Sequence, residues 1–408
     1  MVWTSCIALM GCINVTADSA VVVPPLTSAD PPDQSAALAI SALKDGRFDD
    51  AERYSQVKNS KDSTDPYTHL VGAVVRYKKT AHQLYLDGRT IVVGGLESGN
   101  INQKYLASTL ADAESELALV EKDLAVTAAH KGVSIELCVA CWEVDWNGNG
   151  RLDERDRLLP QIEEDENGTE IPEGDPRRKP TFRFDDGDVA WARAFVAFQR
   201  AALNVLLAYD WTSVGLSFAR RRDLPDKIVI KLIHPERIEQ AKTRILEGLA
   251  QSELSRKLYL AEPDDDREWV PNPRQKNHPM PLPMDHALYS TWEGVVSDLT
   301  RLVGGDEGLA VADVFALADE ETKVIPRGYI DIGQMFADAK DIVLHIKDLD
   351  RLDRERDIDG ALKSVFGSYY TTNMKPSPLT KRLMRMKGEI DREDEKLSRK
   401  LRYLFWIN

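Results

Sequence analysis

One short stretch of the chain places oxygen-bearing side chains at the spacing of a calcium-binding loop. Counting from Asp145, suitable residues fall at ligand positions 1, 3, 5, 7, 9 and 12, and Gly150 falls at position 6, where the backbone turns sharply. Calcium is a hard cation that takes roughly six to eight oxygen ligands, and such a loop supplies most of them. The six predicted ligands are Asp145, Asn147, Asn149, Arg151 through its backbone carbonyl, Asp153 and Asp156. The predicted cofactor is therefore Ca²⁺.

This loop resembles those of the EF-hand superfamily, and the dockerin type in particular, because Asp156 stands where intracellular sensors carry glutamate. The shorter Asp156 and the two neutral ligands Asn147 and Asn149 favour weak binding, with a Kd on the order of 10⁻⁵ to 10⁻³ M. Dockerins carry two such loops, whereas acidic turns at Glu163 and Glu355 match only the start of the pattern. A single loop favours calcium as a structural staple, because paired loops are what give sensors their cooperative opening.

Two cysteines, Cys138 and Cys141, lie directly before the loop. Trp142 follows them where covalent haem attachment requires histidine, and no further ligands stand at the spacing of a zinc site. The pair is expected either to form a local disulfide or to remain as two buried thiols. In both cases it supports the loop and carries out no chemistry.

The N-terminus is predicted to be an export signal. Residues 2–10 are mostly apolar, and the following Leu9-Met10-Gly11-Cys12 resembles the lipobox of bacterial lipoproteins. The resemblance implies lipidation at Cys12, a membrane partner reached through that lipid, and a periplasmic protein anchored to the outer membrane. The alternative is ordinary cleavage after Ala17, which would give a soluble periplasmic or secreted protein.

The composition is that of a soluble globular protein, with 43% hydrophobic and 29% charged residues in 408. The net charge of −14 argues against a nucleic-acid partner, which would require a basic face. It remains compatible with a calcium ion, a membrane anchor and a protein partner.

The elements that must position these residues are predicted to be helical. The expected fold class is all-α, multi-helical, with antiparallel helical hairpins or a bundle and two long polar proline-rich loops. The predicted organisation is a signal peptide at 1–17, a tether at 18–36, helical hairpins with the calcium loop 145–156 over 37–160, a flexible loop at 161–188, and a helical domain at 189–408 with a long loop at 261–284.

Individual helices follow from periodicity and capping residues. A hairpin over 36–58, turning at Gly46, resembles the second half of a tetratricopeptide unit. Asp185, Asp186 and Asp188 are expected to cap a helix over 189–211, and 228–233 could be a strand or a helical turn. Further helices are predicted over 65–86, 102–130, 133–144, 235–260, 285–303, 310–318, 334–349 and 379–405.

Three functions remain open. The first is an exported calcium-binding helical lipoprotein that acts as a structural or interaction module at the cell envelope, for which a smooth concave face would be diagnostic. The second is a solute-binding lipoprotein with an aromatic-lined groove, which predicts a deep pocket near Trp191 and Trp269. The third is an enzyme built from scattered acids, which predicts convergent carboxyl groups with raised pKa values away from the calcium loop. The sequence contains no recognised catalytic motif.

Overall fold

The structure is a computed structural model of the chain. It describes residues 27–59, 64–98, 102–152, 156, 161–163, 165, 169–212, 226–279, 284–317, 326–345 and 358–392. The predicted signal peptide with Cys12, the predicted ligand Asp153 and the turn at Glu355 lie outside these ranges.

Four helices form the first part of the fold. They are α1 (Gln34–Lys44), α2 (Phe48–Asn59), α3 (Pro66–Ser98) and α4 (Gln103–Ala128). The side chain of Asp33 accepts from two backbone N–H groups at the start of α1. Gly46 has φ +69° between α1 and α2, which confirms the predicted turn. Consecutive helices pack on one another, and α3 runs well beyond its predicted end at residue 86.

A strand shows that part of the predicted tether belongs to the folded structure. Strand β1 (Thr27–Ser28) pairs in parallel with β2 (His130–Lys131), directly after α4. Helix α1 then begins at Gln34, within the predicted tether 18–36. Residues 27–36 are therefore a strand, a connection and the first turn of a helix.

The predicted helix over 133–144 is wrong. Strand β3 (Ile135–Leu137) pairs antiparallel with β4 (Phe182–Phe184), and a 3₁₀ turn follows at Val139–Cys141. Ile135 and Leu137 are buried on either side of a partly exposed Glu136, which is the period of a strand and not of a helix. The partner strand lies over forty residues further along the chain, so local periodicity could not reveal it.

Two long helices form the centre of the molecule. Helix α5 (Asp186–Ala208) packs along α6 (Pro235–Ala261), and it also packs against α4. Asp185 and Asp188 form a capping box at the start of α5, as the acidic cluster predicted. The close approach of α5 and α6 requires glycine at position 248, because a Cβ there would lie 2.6 Å from Cε1 of Phe198.

The remaining elements combine short helices with short strands. They are β5 (Tyr209–Asp210), β6 (Lys227–Leu232), α7 (His286–Gly304), β7 (Leu309–Ala310), α8 (Val311–Leu317), β8 (Tyr329–Ile330), α9 (Ile332–Ala337), β9 (Ile342–His345), α10 (Ile358–Phe366), β10 (Tyr370–Thr371) and α11 (Leu379–Arg392). Strand β6 lies between β5 and β9, and β8 lies between β10 and β7. The predicted helix over 334–349 is helical only to Ala337, at the end of α9, and is wrong beyond it, because Ile342–His345 pairs with β6.

The fold is mostly helical, as predicted, but it is not purely so: the described residues also form four small sheets. Helix α5 contributes Val189 and Val196 to the core of the N-terminal helices and Ala201 and Ala208 to the core of the C-terminal part. The predicted boundary at residue 188 therefore falls beside a helix that both cores share. Among the described helices, none is long and apolar enough to cross a membrane.

Candidate functional site

An aromatic-lined cavity of about 460 Å³ lies between α3, α5 and the segment that leads from β3 into the calcium loop. Its size falls in the range of pockets that hold small molecules. Its lining is mostly apolar and comes from segments far apart in the chain. These residues are Leu70, Ala73, Val74, Tyr77, Lys78, Ala81, Val120, Leu124, Ile135, Leu137, Val139, Ala140, Trp142, Val144, Trp146, Ile162, Pro180, Phe182, Phe184, Asp188, Val189, Trp191, Ala192, Phe195, Val196 and Trp269.

Aromatic contacts hold the wall of the cavity in place. The indole Nε1 of Trp142 donates to the carbonyl oxygen of Leu43 at 2.9 Å, and its ring lies edge-on to Phe48 at 5.2 Å. Tyr77 packs 6.3 Å from Phe195 and accepts from Nε2 of Gln199 at 2.9 Å. Burial raises the pKa of Tyr77, so this phenol stays neutral over the physiological range.

Both long polar loops, 161–188 and 261–284, contribute apolar residues to the cavity wall. Trp269, from the loop 261–284, is only 5% exposed and packs edge-on to Phe182 with ring centroids 4.5 Å apart. Ile162 and Pro180, from the predicted flexible loop 161–188, also line the cavity. The described residues of these two loops therefore form part of the cavity wall.

The predicted calcium loop is closed by its own side chains. The carboxylate of Asp145 accepts from the backbone N–H groups of Asn149 and Gly150, at 3.1 and 2.6 Å. Asp156 is 8% exposed, and its Oδ1 accepts from both the backbone nitrogen and Nδ2 of Asn147, at 3.1 and 2.9 Å. Gly150 has φ +78°, as the turn at position 6 requires.

These bonds bring together the first, third and last predicted ligand positions. Asn149 at position 5 accepts from the backbone nitrogen of Arg151 at 2.8 Å, which places the position-7 residue beside it. The donor set is entirely oxygen, which suits a hard cation. The residues present therefore fit calcium, with Asp153 lying outside the described residues.

The calcium loop and the cavity share a segment. Trp146 stands between the loop positions Asp145 and Asn147 and also lines the cavity, as do Trp142 and Val144 immediately before the loop. Cys138 and Cys141 form a disulfide that encloses the cavity-lining Val139 and Ala140. Of the two states predicted for the cysteines, the structure has the disulfide, on a 3₁₀ turn and not on a helix.

A cluster of acidic side chains lies behind Trp269. Oxygen atoms of Asp185, Glu262 and Glu268 lie within 4.8 Å of one another, a spacing compatible with a metal ion. Nη1 of Arg183 lies 3.6 Å from oxygens of Asp185 and Glu268 and 3.9 Å from Glu262. The cluster therefore already contains a positive charge.

Protonation also reduces the repulsion within this cluster. Burial, followed by a hydrogen bond to Asp185, raises the pKa of Glu262 to about 10. Burial and the charge of Asp185 raise the pKa of Glu268 to about 7. Asp188 accepts a hydrogen bond from the Tyr259 hydroxyl at 2.7 Å. Burial raises the pKa of Asp188 well above the usual range.

This cluster connects the long loop to the centre of the fold. Asp185 and Asp188 cap α5, Glu262 follows α6, and Glu268 stands beside Trp269. Asp185, Glu262 and Glu268 are not among the residues that line the cavity. The raised pKa values of Glu262 and Glu268 match one criterion for an enzyme, but the contacts of the cluster give it a clear role in holding the loop 261–284.

Comparison with models of protein families, with curated proteins and with solved structures finds no match for this chain.

Sequence reasoning found the loop but missed the polar residues beside the cavity. Lys78 occurs at a helical spacing from Leu70, Val74 and Ala81, so it interrupts an apolar face of α3. A lysine that interrupts an apolar helix face is the sequence signal that could have indicated a polar group beside the cavity. The acids of the loop 261–284 were visible in the sequence, but their meeting with Asp185 depends on the packing of α5 against α6.

Proposed function

We propose that this chain is an exported solute-binding protein that holds a largely apolar small molecule in the cavity between α3 and α5. The observation that carries the proposal is the 460 Å³ cavity, whose wall includes Trp142, Trp146, Trp191 and Trp269. Protein interiors are normally packed with few voids larger than a water molecule. A cavity of this size with apolar walls therefore favours a ligand that covers them.

The construction of the cavity supports a binding role over a purely structural one. The aromatic residues of α5 serve two purposes: Trp191 and Phe195 line the cavity, whereas Phe198 packs against Gly248 of α6. The walls are held from behind by hydrogen bonds and ring contacts, which pre-organises them for a ligand. A pocket of this size beside Trp191 and Trp269 favours a solute-binding protein over an interaction module.

Calcium and export belong to the same proposal. The ion bound by the loop 145–156 would staple the segment that carries Trp142, Val144 and Trp146, so its role is to support the cavity wall. Lipidation at Cys12 would place the protein at the outer membrane. Intact-mass analysis of the mature chain from a membrane fraction tests this: a diacylated Cys12 is expected, whereas a soluble chain that begins at Asp18 contradicts it.

Ligand binding is tested with an apolar fluorescent probe such as N-phenylnaphthylamine. The wild-type protein is expected to bind the probe. The bound probe should quench the protein's tryptophan emission, because four tryptophans line the cavity. Ala192→Phe and Ala81→Phe place extra volume in the cavity from two different helices and should each weaken probe binding at least tenfold.

Ala250→Phe is the matched control, because Ala250 is exposed on α6. It should bind the probe like the wild type. Equal binding by all four proteins, with all four folded by circular dichroism, would show that the cavity is not the binding site and would overturn the proposal.

A further inference from the structure

The cavity has a polar end, where the ammonium group of Lys78 lies half-buried. Its Nζ lies 4.3 Å from the centre of the Phe48 ring, which is the cation–π contact that the structure gives it. Within the described part of the chain, Lys78 forms no ion pair. The next residue, Lys79, is bound by Asp49 at 2.8 Å and by Glu52 at 2.7 Å.

Two further polar atoms near Lys78 on the chain or in space have no hydrogen-bond partner among the described residues. Nε2 of His82 and Nε1 of Trp146 are both buried and unpaired among the residues that the structure describes. His82 lies one turn after Lys78 on α3, and its ring packs edge-on to Trp146 with centroids 5.4 Å apart. Lys78 and Trp146 line the cavity, and His82 connects them, one helical turn from Lys78 and in ring contact with Trp146.

Unsatisfied buried polar groups beside an apolar cavity indicate a polar ligand group. A buried donor without an acceptor costs roughly 1–3 kcal/mol, and native proteins contain few of them. Burial, followed by the positive charge of Lys79, lowers the pKa of the Lys78 ammonium group, and the charge of Asp49 opposes this only in part. An anionic ligand head would supply the missing acceptor to Lys78 and to the indole N–H.

We propose that the ligand is an amphipathic carboxylate, whose head binds Lys78 and Trp146 and whose apolar body lies against the aromatic wall. This inference rests on the proposed solute-binding function and specifies its ligand class. A cavity of 460 Å³ corresponds to about fifteen water volumes, so it suits a ligand on the order of a dozen non-hydrogen atoms. Dodecanoate is therefore a suitable probe.

The test compares four ligands that share one dodecyl chain. Dodecanoate, dodecanol, dodecyl phosphate and dodecyltrimethylammonium are titrated below their critical micelle concentrations by displacement of N-phenylnaphthylamine. The wild-type protein is expected to bind dodecanoate at least tenfold more tightly than dodecanol, and the trimethylammonium compound most weakly, because a cation meets the Lys78 charge.

Lys78→Met removes the charge but keeps a flexible apolar side chain, and Lys79→Met is the matched control with the same change in net charge. Lys78→Met should bind dodecanol like the wild type and lose the preference for dodecanoate. Lys79→Met should retain that preference. Unchanged melting temperatures establish that all variants are folded, and Lys78→Gln provides a second substitution if the methionine variant is not.

The outcomes separate this inference from the proposed function. Equal binding of dodecanoate and dodecanol by the wild type, or a preference that survives in both Lys78 variants, overturns the carboxylate assignment while leaving solute binding intact. Tenfold tighter binding of dodecyl phosphate than of dodecanoate identifies a phosphate head instead. Failure of N-phenylnaphthylamine and of every dodecyl ligand to bind overturns the proposed function and this inference together.

Discussion

Asp145 and Asp156 illustrate how single residues can organise a loop. One oxygen of Asp145 accepts from the backbone of Asn149 and the other from that of Gly150. Asp156, from the far end of the loop, is bound to Asn147. A divalent cation would bind to oxygens of these side chains and hold the two ends of the loop together.

We therefore expect Asp145→Ala to abolish stabilisation by calcium while keeping the helical content. Calcium at about 100 times its Kd should add roughly 2.7 kcal/mol to the free energy of unfolding of the wild type. Asp112→Ala, at an exposed position of α4, is the control and should respond to calcium like the wild type. The measurement is the melting temperature in calcium and in chelator. A wild type that melts equally in both contradicts the calcium site.

The carboxyl groups behind Trp269 make stability depend on pH. The pKa of Glu268 is raised from 4.5 to about 7 in the folded protein. Its contribution to stability is therefore fully present below about pH 4.5 and is lost as the pH rises through about 7. Glu262, with a pKa of about 10, extends the loss to higher pH.

We expect Glu268→Gln to flatten the decline in melting temperature between pH 5 and pH 8, because an amide cannot ionise. The pH-dependent part removed is at most about 3 kcal/mol. Glu239→Gln, exposed on α6, should leave the wild-type profile unchanged. Parallel profiles for the wild type and Glu268→Gln would show that Glu268 does not ionise in this range.

At the scale of elements, the packing of α5 on α6 depends on small residues at the contact. A Cβ added at Gly248 would lie 2.6 Å from the ring of Phe198, and a Cβ added at Gly187 would lie 2.6 Å from the ring of Tyr259. Because this contact positions α5, it also positions Trp191 and Phe195 in the cavity wall. Alanine at Gly248 would force the helices apart or move Phe198 from its place.

Two glycines in helices give a matched pair of substitutions. Gly248→Ala should destabilise the protein by about 1–3 kcal/mol, because the added methyl group overlaps Phe198. Gly88→Ala on α3 meets nothing within 4 Å and should be neutral or stabilise by up to about 1 kcal/mol, since alanine favours the helix. Urea unfolding measures both, and destabilisation of similar size in both variants would contradict the packing explanation.

At the scale of the whole molecule, the loop 145–156 and the cavity are joined by one short segment. Trp146 belongs to both, and Trp142 and Val144 precede the loop without an intervening helix. An ion that orders the loop must therefore also restrict the cavity wall. Binding at either site should then favour binding at the other, and the coupling must be reciprocal.

We expect calcium to tighten binding of an apolar ligand roughly fivefold or more, and the ligand to tighten calcium binding by the same factor. The measurement is calorimetric titration of dodecanoate in calcium and in chelator, followed by titration of calcium with and without dodecanoate. Asp145→Ala serves as the control, because its affinity for dodecanoate should not depend on calcium. An affinity of the wild type that is equal in both buffers, while calcium binds, would show that the two sites are independent.

The sequence by itself determined the local features of this protein. The turn at Gly46, the cap at Asp185 and the closure of the loop from Asp145 to Asp156 follow from residue types at short spacing, because their hydrogen bonds join neighbours in the chain. The long helices were found for the same reason, since their periodicity is local.

Only the tertiary structure decided the strands, the cavity and the acid cluster. Strand β3 requires a partner at Phe182–Phe184, the cavity joins residues from Leu70 to Trp269, and Glu268 meets Asp185 across more than eighty residues. These contacts are set by how α5 packs on α4 and α6. No pattern of neighbouring residues encodes that packing, because burial and charge at each position depend on side chains that arrive from distant parts of the chain.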